Sequence, residues 1–338
     1  MSQVQIASKS VGPVGYGMMN LTWKKTPPPQ SQSFSTMRAA LANGANLWNA
    51  SEFYGTPERN SCHLLNEYFT KYPEDAEKVV LNIKGCVVPG QMKIDGSEAG
   101  VRRSVEDSLK VLGGKKSIDI FESARVDPNV PIEETVRFLH ELQKEGKIGA
   151  IGLSEVSANS IRRAAAVAPI ATVEVELSLW ATDILRNGIA STCAELGIPI
   201  TAYSPLGRGA LTGEIFRKNA DIPEDDHRKH LPKFQDDVLE ANNKVTDEIE
   251  KLARRKGCTK PQIALAWVAR LSNGVLPDGT RLGTIIPIPG ASAAERVEEN
   301  MRVVQLTDEE MKEIAEVLEA NPITGDRYPP AAQKLSEY

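Results

Sequence analysis

Short runs of apolar and β-branched residues alternate along the chain with longer stretches whose apolar positions recur at helical spacing, the pattern of parallel β–α units. Eight such runs occur, over 14–18, 46–50, 79–83, 118–121, 150–153, 172–176, 200–202 and 284–288. Several are almost continuously apolar, as strands buried on both faces should be. Amphipathic stretches over 34–42, 58–71, 98–111, 132–145, 159–168 and 188–196 predict the intervening helices. In the fourth of these, Val136, Leu139, His140 and Leu142 recur on one face beside a charged one. After the seventh run the pattern predicts helices over 238–255 and 261–270. After the eighth it predicts helices over 293–304 and 307–319, the last opened by a Thr307–Glu310 capping box.

Eight strands, each followed by helix, predict an α/β fold of the (β/α)8 barrel type occupying residues 1–338 as one domain. An open doubly wound sheet is the weaker alternative, because no GxGxxG follows the first run. The leading VQIASKS reads as a small hairpin across the barrel floor. The segment 208–237, rich in charge, Pro and His, is long for a strand-to-helix connection and reads as a lid over the active face, with a plain surface excursion as the alternative.

Composition narrows the function. A formal charge of -5 creates no general field favouring nucleic acid or an anionic membrane. No apolar run reaches the roughly 18 residues of a membrane span, and MSQVQIASKS lacks the apolar core of a secretory signal. The expected location is the cytosol, with passive entry to the nucleus left open. Cys62, Cys86, Cys193 and Cys258 are scattered, and His63, His140, His227 and His230 fall at no metal-ligand spacing, so no metal site is expected. Trp48 and Trp267 read as core.

Active residues of such barrels stand at the carboxyl ends of strands. That selects 49–54, Lys84, Ala124 with Arg125, Ser154, Glu174, 203–209 and 289–300. A carbonyl accepting a hydride needs a proton at its oxygen, and a tyrosine hydroxyl beside an ammonium can supply it. Tyr54 and Lys84 follow the second and third runs, so the pair is geometrically plausible. Taken alone, Tyr54 reads more often as a rim aromatic and Lys84 as a barrel ion-pair member. A helix N-terminus after the eighth run, opened by Pro289, Gly290, Ala291 and Ser292, suits a phosphate.

At these residues the chain resembles the aldo-keto reductase superfamily over essentially its whole length. GANLWNASEFYG is similar to the family's second-strand signature, and LNIKGC, GKIGAIGLSEVS, AYSPLGRGALTG and IIPIPGASAAERVEEN resemble further family segments in the same order. The resemblance implies that Tyr54 is the acid and Lys84 its activator. Two positions depart from the usual tetrad: Asn49 stands where an Asp is common, and Ala124 where a His is. NASEFYG with FESARVDPNVPIEE resembles the fungal pyridoxal reductase branch, which implies reduction of pyridoxal to pyridoxine with NADPH.

The same resemblance implies that Ser154 and Glu174 meet the nicotinamide carboxamide, Glu174 replacing a more usual Gln, and that Tyr203 stacks on the ring. It assigns Ser204, Pro205, Leu206, Gly207 and Gly209 to a loop shaped around the cofactor. Pro289, Gly290 and Ser292 would hold phosphate, Arg296 the adenosine 2′-phosphate, and Glu299 with Asn300 the adenine. Arg296 and Glu299 also read as a surface pair at i,i+3. Arg125 either holds an anionic or phenolic substrate group or pairs with Asp127, Glu122 or Glu174, the pairing being slightly favoured. Trp23 and Trp180 line the pocket or pack at its rim.

The leading expectation is therefore an NADPH-dependent reductase of a small aldehyde, with no nucleic-acid or membrane partner. The alternatives are an NADPH-binding redox sensor or channel-associated regulatory subunit, and an aldolase using Lys84 as a Schiff base.

Overall fold

A computed structural model describes residues 4–91, 93–213, 216–302 and 304–337. Strands β1 (Val4–Ile6) and β2 (Lys9–Val11) pair as an antiparallel hairpin. Its Ile6 and Val11 are buried against Leu47, Val80, Ile120, Ala150, Ile286 and Ile288, closing the floor of the barrel as the sequence predicts.

The wall is β3 (Tyr16–Gly17), β4 (Leu47–Ser51), β7 (Val80–Gly85), β8 (Ile118–Ser123), β9 (Ile148–Ser154), β10 (Ile170–Glu176), β11 (Ile200–Tyr203) and β12 (Ile285–Pro287), side by side in chain order and parallel throughout. Between β4 and β7, β5 (Gly55–Thr56) and β6 (Arg59–Asn60) form a separate antiparallel hairpin. The ring closes through a parallel bridge between Gly17 and Gly290, with Gly15 N–H donating to Pro287 O at 2.9 Å.

The helices are α1 (Met19–Thr22), α2 (Gln30–Ala42), α3 (Ser61–Lys71), α4 (Glu98–Leu112), α5 (Ile132–Lys144), α6 (Ala158–Ala165), α7 (Ile189–Glu195), α8 (Asp236–Lys256), α9 (Lys260–Leu271), α10 (Ala294–Met301), α11 (Asp308–Ala320) and α12 (Pro330–Gln333). Local signals set their ends. Ser97 caps α4 by accepting from Gly100 N, and Gly113 at φ 59° ends it in the left-handed conformation. Thr307 and Glu310 cap α11 reciprocally, as expected. The main core lies between wall and helices, where Trp48 meets Tyr68 and Phe69 at ring separations of 5.3 and 6.0 Å.

Several boundaries differ from the sequence pattern, among them the start of α2, expected at residue 34 and found at Gln30. The helix expected from residue 58 begins at Ser61, because 55–60 turns back as the β5–β6 hairpin and Asn60 caps the helix, accepting from Cys62 N at 2.9 Å. Gly55, at φ 124°, lies so near Arg59 O that a side chain could not fit. The helix expected over 293–304 runs Ala294–Met301, and Val303 lies outside the described residues, as do Glu214 and Ile215 of the 208–237 segment. Among the described residues that segment holds short helical turns and buries Ile222, Leu231 and Phe234.

Candidate active site

The inward face of the wall carries a buried polar centre. Asn82 and Lys84, two apart on β7, share that face, and the parallel register sets Asn49 beside Asn82 and Glu122 beside Lys84. Lys84 Nζ donates to Asn49 Oδ1 at 3.0 Å and forms an ion pair with Glu174 from across the barrel. The second Glu174 oxygen accepts from Asn49 Nδ2 at 2.5 Å. Lys84 and Glu174 expose only 4% and 3% of their side chains, so each requires the other.

Burial alone would depress the Lys84 pKa, but the Glu174 carboxylate, together with Tyr54 and Glu122, outweighs it and holds the ammonium protonated above its ordinary value. A protonated lysine is a poor Schiff-base nucleophile, which disfavours the aldolase alternative.

Burial, reinforced by the charge of Glu174, pushes the Glu122 carboxyl well above the usual range, while Asn82 Nδ2 donates to it at 2.6 Å. Glu174, which bonds Lys84 directly, is its counter-ion. Gly152 on β9 makes room for Glu122: a Cβ there would lie 2.3 Å from Glu122 Cγ.

Tyr54 closes the centre from above. Lys84 Nζ lies 5.4 Å from its ring centroid, and Trp23 stacks on it at 5.5 Å. Burial raises the Tyr54 pKa, and the Lys84 charge pulls against that rise. The result is a protonated hydroxyl beside a fixed cation. Ala124 packs with Val87, Ile94 and Phe53, its N–H donating to Gly85 O at 3.0 Å. Beyond Trp23 and Phe53 opens a cleft of about 610 Å³, where burial pushes the Glu52 carboxyl up to about 7.

A second charged cluster caps the mouth. Arg208 grips Glu176 through two bonds of 3.0 and 2.7 Å, and Arg327, arriving from the C-terminal segment, grips Glu155 at 3.1 and 2.9 Å. Ser336 Oγ also donates to Glu155, at 3.0 Å, and Glu337 accepts from Ser157 N and Ser160 Oγ. Tyr328 of the same segment enters the mouth, its hydroxyl 2.6 Å from that of Tyr203, which in turn donates to Glu155.

Three comparisons bear on this architecture. The chain is 41% identical over 326 residues to "Probable pyridoxal reductase 2" of Schizosaccharomyces pombe, covering 94% of this chain and 95% of that one. A relative from Saccharomyces cerevisiae, also named as a pyridoxal reductase, is 39% identical over 337 residues, with coverage of 93% and 95%. The glycerol dehydrogenase of Gluconobacter oxydans superposes with a TM-score of 0.81 at 27% identity, over 97% of this chain and 98% of its own. The profile of the Aldo/keto reductase family matches residues 13–319. The chain belongs to the aldo/keto reductase family.

The segments where a family member would hold its dinucleotide show several features of a prepared site. Ser154 Oγ is buried without a hydrogen-bond partner among the described residues. After β11 the backbone turns through left-handed conformations at Ser204 (φ 50°), Gly207 (58°), Arg208 (55°) and Gly209 (98°), with Pro205 and Leu206 between them. A chain that bends so sharply on non-glycine residues is held to a purpose by its surroundings.

At the barrel seam, Pro289 and Gly290 lead to α10, whose first turn has no side-chain cap, leaving N–H groups for an anion. Ser292 sits there with its carbonyl accepting from Gln32 Nε2 at 2.6 Å. Arg296 is 64% exposed and pairs with Glu299 at 2.7 Å, and Asn300 is buried beneath them.

Some sequence-predicted residues stand elsewhere than expected. Both oxygens of Glu174 are engaged by Lys84 and Asn49, a partnership that sequence distance concealed. Arg125 makes none of the three pairings expected of it: Asp127 instead accepts from Gly96 N and Asn129 N, both at 2.8 Å. Trp180 is packed, its Nε1 donating to Thr246 at 3.1 Å and its ring against Phe234. Sequence reasoning missed Glu155, Glu176, Arg327 and Tyr328. Glu155 and Glu176 do lie at strand ends, and that position was the available signal.

Proposed function

We propose that the chain reduces an aldehyde with NADPH, pyridoxal to pyridoxine being the favoured reaction, and that Tyr54 delivers the proton to the carbonyl oxygen. The observation that carries this reading is the buried Tyr54–Lys84–Asn49–Glu174 assembly, which keeps one protonated hydroxyl beside one fixed cation.

The likeness to "Probable pyridoxal reductase 2" and "Putative pyridoxal reductase" over more than nine-tenths of the chain supports the substrate. Ser154 and the Ser204–Gly209 turn would hold the nicotinamide end, with Tyr203 against the ring, and Gly290, Ser292 and Arg296 the phosphate end. Glu299 and Asn300 would meet the adenine. Arg296, whose guanidinium reaches solvent, supports the phosphorylated cofactor over NADH. When bound, the reduced nicotinamide supplies a hydride to the carbonyl carbon.

The chain's own residues manage the proton. Tyr54 keeps it on the hydroxyl until negative charge develops on the carbonyl oxygen, then donates. Lys84 stabilises the phenolate left behind, so the step moves charge from substrate to a site already furnished with a cation. Asn49 and Glu174 hold Lys84 in place. Trp23 covers Tyr54 from solvent and presents an apolar wall to the ring of the aldehyde.

The test is oxidation of NADPH by the purified protein with pyridoxal, beside a Tyr54→Phe control. Turnover to pyridoxine with a loss of roughly 10²-fold to 10⁴-fold in kcat for the variant is expected. Equal turnover by Tyr54→Phe removes the proton-donor assignment. Confirmed NADPH binding without pyridoxal turnover removes that substrate.

A further inference from the structure

Three guanidiniums gather around Tyr328, and they are not equivalent. Arg208 is matched by Glu176 and Arg327 by Glu155, each through two hydrogen bonds. Arg125, at the end of β8, has no such match. Its Nη1 donates to the carbonyl of its neighbour Ala124 at 2.6 Å, and its Nη2 reaches the Tyr328 hydroxyl at 3.4 Å, the outer limit of a hydrogen bond. Among the described residues no carboxylate forms an ion pair with it. Glu155, already bonded to Arg327, attracts Arg125 only at longer range, so this guanidinium, partly buried beside Ala124, keeps donors for a further partner.

Tyr328 shows what this pocket accepts. Its ring is flanked by Arg208, Arg327 and Arg125 at 4.6, 5.5 and 5.8 Å, and its hydroxyl is shared with Tyr203. The cluster thus already holds a phenol, supplied by the chain itself. Guanidiniums favour an aromatic face and, more strongly, an oxygen bearing negative charge.

We propose that this pocket is the recognition subsite for a hydroxylated aromatic aldehyde, with Arg125 binding the ring oxygen of the substrate in place of the Tyr328 hydroxyl. The inference rests on the reading of the chain as an aldehyde reductase. The Arg125–Tyr328 contact, at 3.4 Å, is long enough to give way to a better acceptor. The subsite also selects among aldehydes by a ring group that takes no part in the reduction itself. The substrate proposed above carries such a ring hydroxyl next to its aldehyde.

The experiment compares 2-hydroxybenzaldehyde with benzaldehyde, as the ratio of kcat/KM, in wild type, Arg125→Met, Arg125→Lys and Tyr328→Phe. Wild type is expected to favour the hydroxylated aldehyde by about tenfold or more. Arg125→Met is expected to lose most of that ratio, and Arg125→Lys to retain part of it. Tyr328→Phe, which removes the competing hydroxyl, is expected to lower KM for the hydroxylated aldehyde.

A ratio unchanged in Arg125→Met, with NADPH affinity and melting temperature as in wild type, overturns the proposal. Should wild type reduce neither aldehyde, the reductase reading fails on its own. The subsite is then tested by calorimetric binding of 2-hydroxybenzyl alcohol against benzyl alcohol. A preference lost in Arg125→Met, and partly kept in Arg125→Lys, upholds it; no preference in wild type, no binding, or a preference kept in Arg125→Met overturns it.

Discussion

At Lys84 one ammonium meets one carboxylate on facing strands of the barrel wall, with Asn49 bonded to both. At the mouth two ion pairs, Arg208–Glu176 and Arg327–Glu155, stand beside Arg125, and their arginines come from a loop after β11 and a segment near the C-terminus. The first centre is held by strand register and cannot rearrange without disturbing the wall. The second is assembled from chain ends and loops, where a partner can be exchanged for a ligand or water at modest cost. Chemistry that needs a fixed cation sits in the first, and recognition of variable groups is suited to the second.

The comparison breaks most visibly at Glu174. Glu174→Ala leaves Lys84 buried without a counter-ion and is expected to cost about 3–5 kcal/mol of stability, read by denaturant unfolding. Moving the charge in Asn49→Asp/Glu174→Gln should recover a large part of that loss, because residue 49 touches the same Nζ. If the double variant is no more stable than Glu174→Ala, Glu174 is not acting as the counter-ion.

Glu52 measures the cost of a buried carboxyl without a close cation, since Arg103 comes no nearer than 3.8 Å. Its pKa is raised to about 7 in the fold from 4.5, so the unfolded chain ionises first and stability falls as pH rises across that window. Above pH 7 the loss reaches at most about 3 kcal/mol. Glu52→Gln should therefore melt higher than wild type at pH 8, with the gap closing by pH 4.5. A gap independent of pH contradicts this account.

The smallest effect is expected at the mouth. Arg327→Met removes two bonds to Glu155, but Tyr203 and Ser336 still donate to that carboxylate. A loss of about 1–2 kcal/mol follows, with faster hydrogen exchange confined to the last residues. A loss as large as that of Glu174→Ala would mean the mouth is as rigid as the wall.

Legibility in the sequence follows the same division. The eight wall strands, the floor hairpin and the placement of Asn49, Tyr54 and Lys84 were readable because apolar runs and strand ends repeat with a period. The Lys84–Glu174 pair was not, because the residues lie 90 positions apart and meet only when the wall closes. Tyr328 and Arg327 stand in a segment with no periodicity, and buried pairing is what gives those side chains their meaning. The β5–β6 hairpin was mistaken for helix because helix-compatible residues precede Asn60, while Gly55 and the cap decide the matter.

The seam of the barrel is its thinnest joint. β3 meets the run from β12 through one bridge, Gly17 with Gly290, and the backbone bonds from Gly15 and Gly17 to Pro287 and Pro289, whereas the other neighbouring strands of the wall share ladders of two to five residue pairs. Gly290 also opens the segment proposed to hold the phosphate end of the dinucleotide. Occupancy there would act as a rivet: a ligand spanning the joint ties the first strand of the ring to the last, so filling the site and keeping the ring shut become one thermodynamic event.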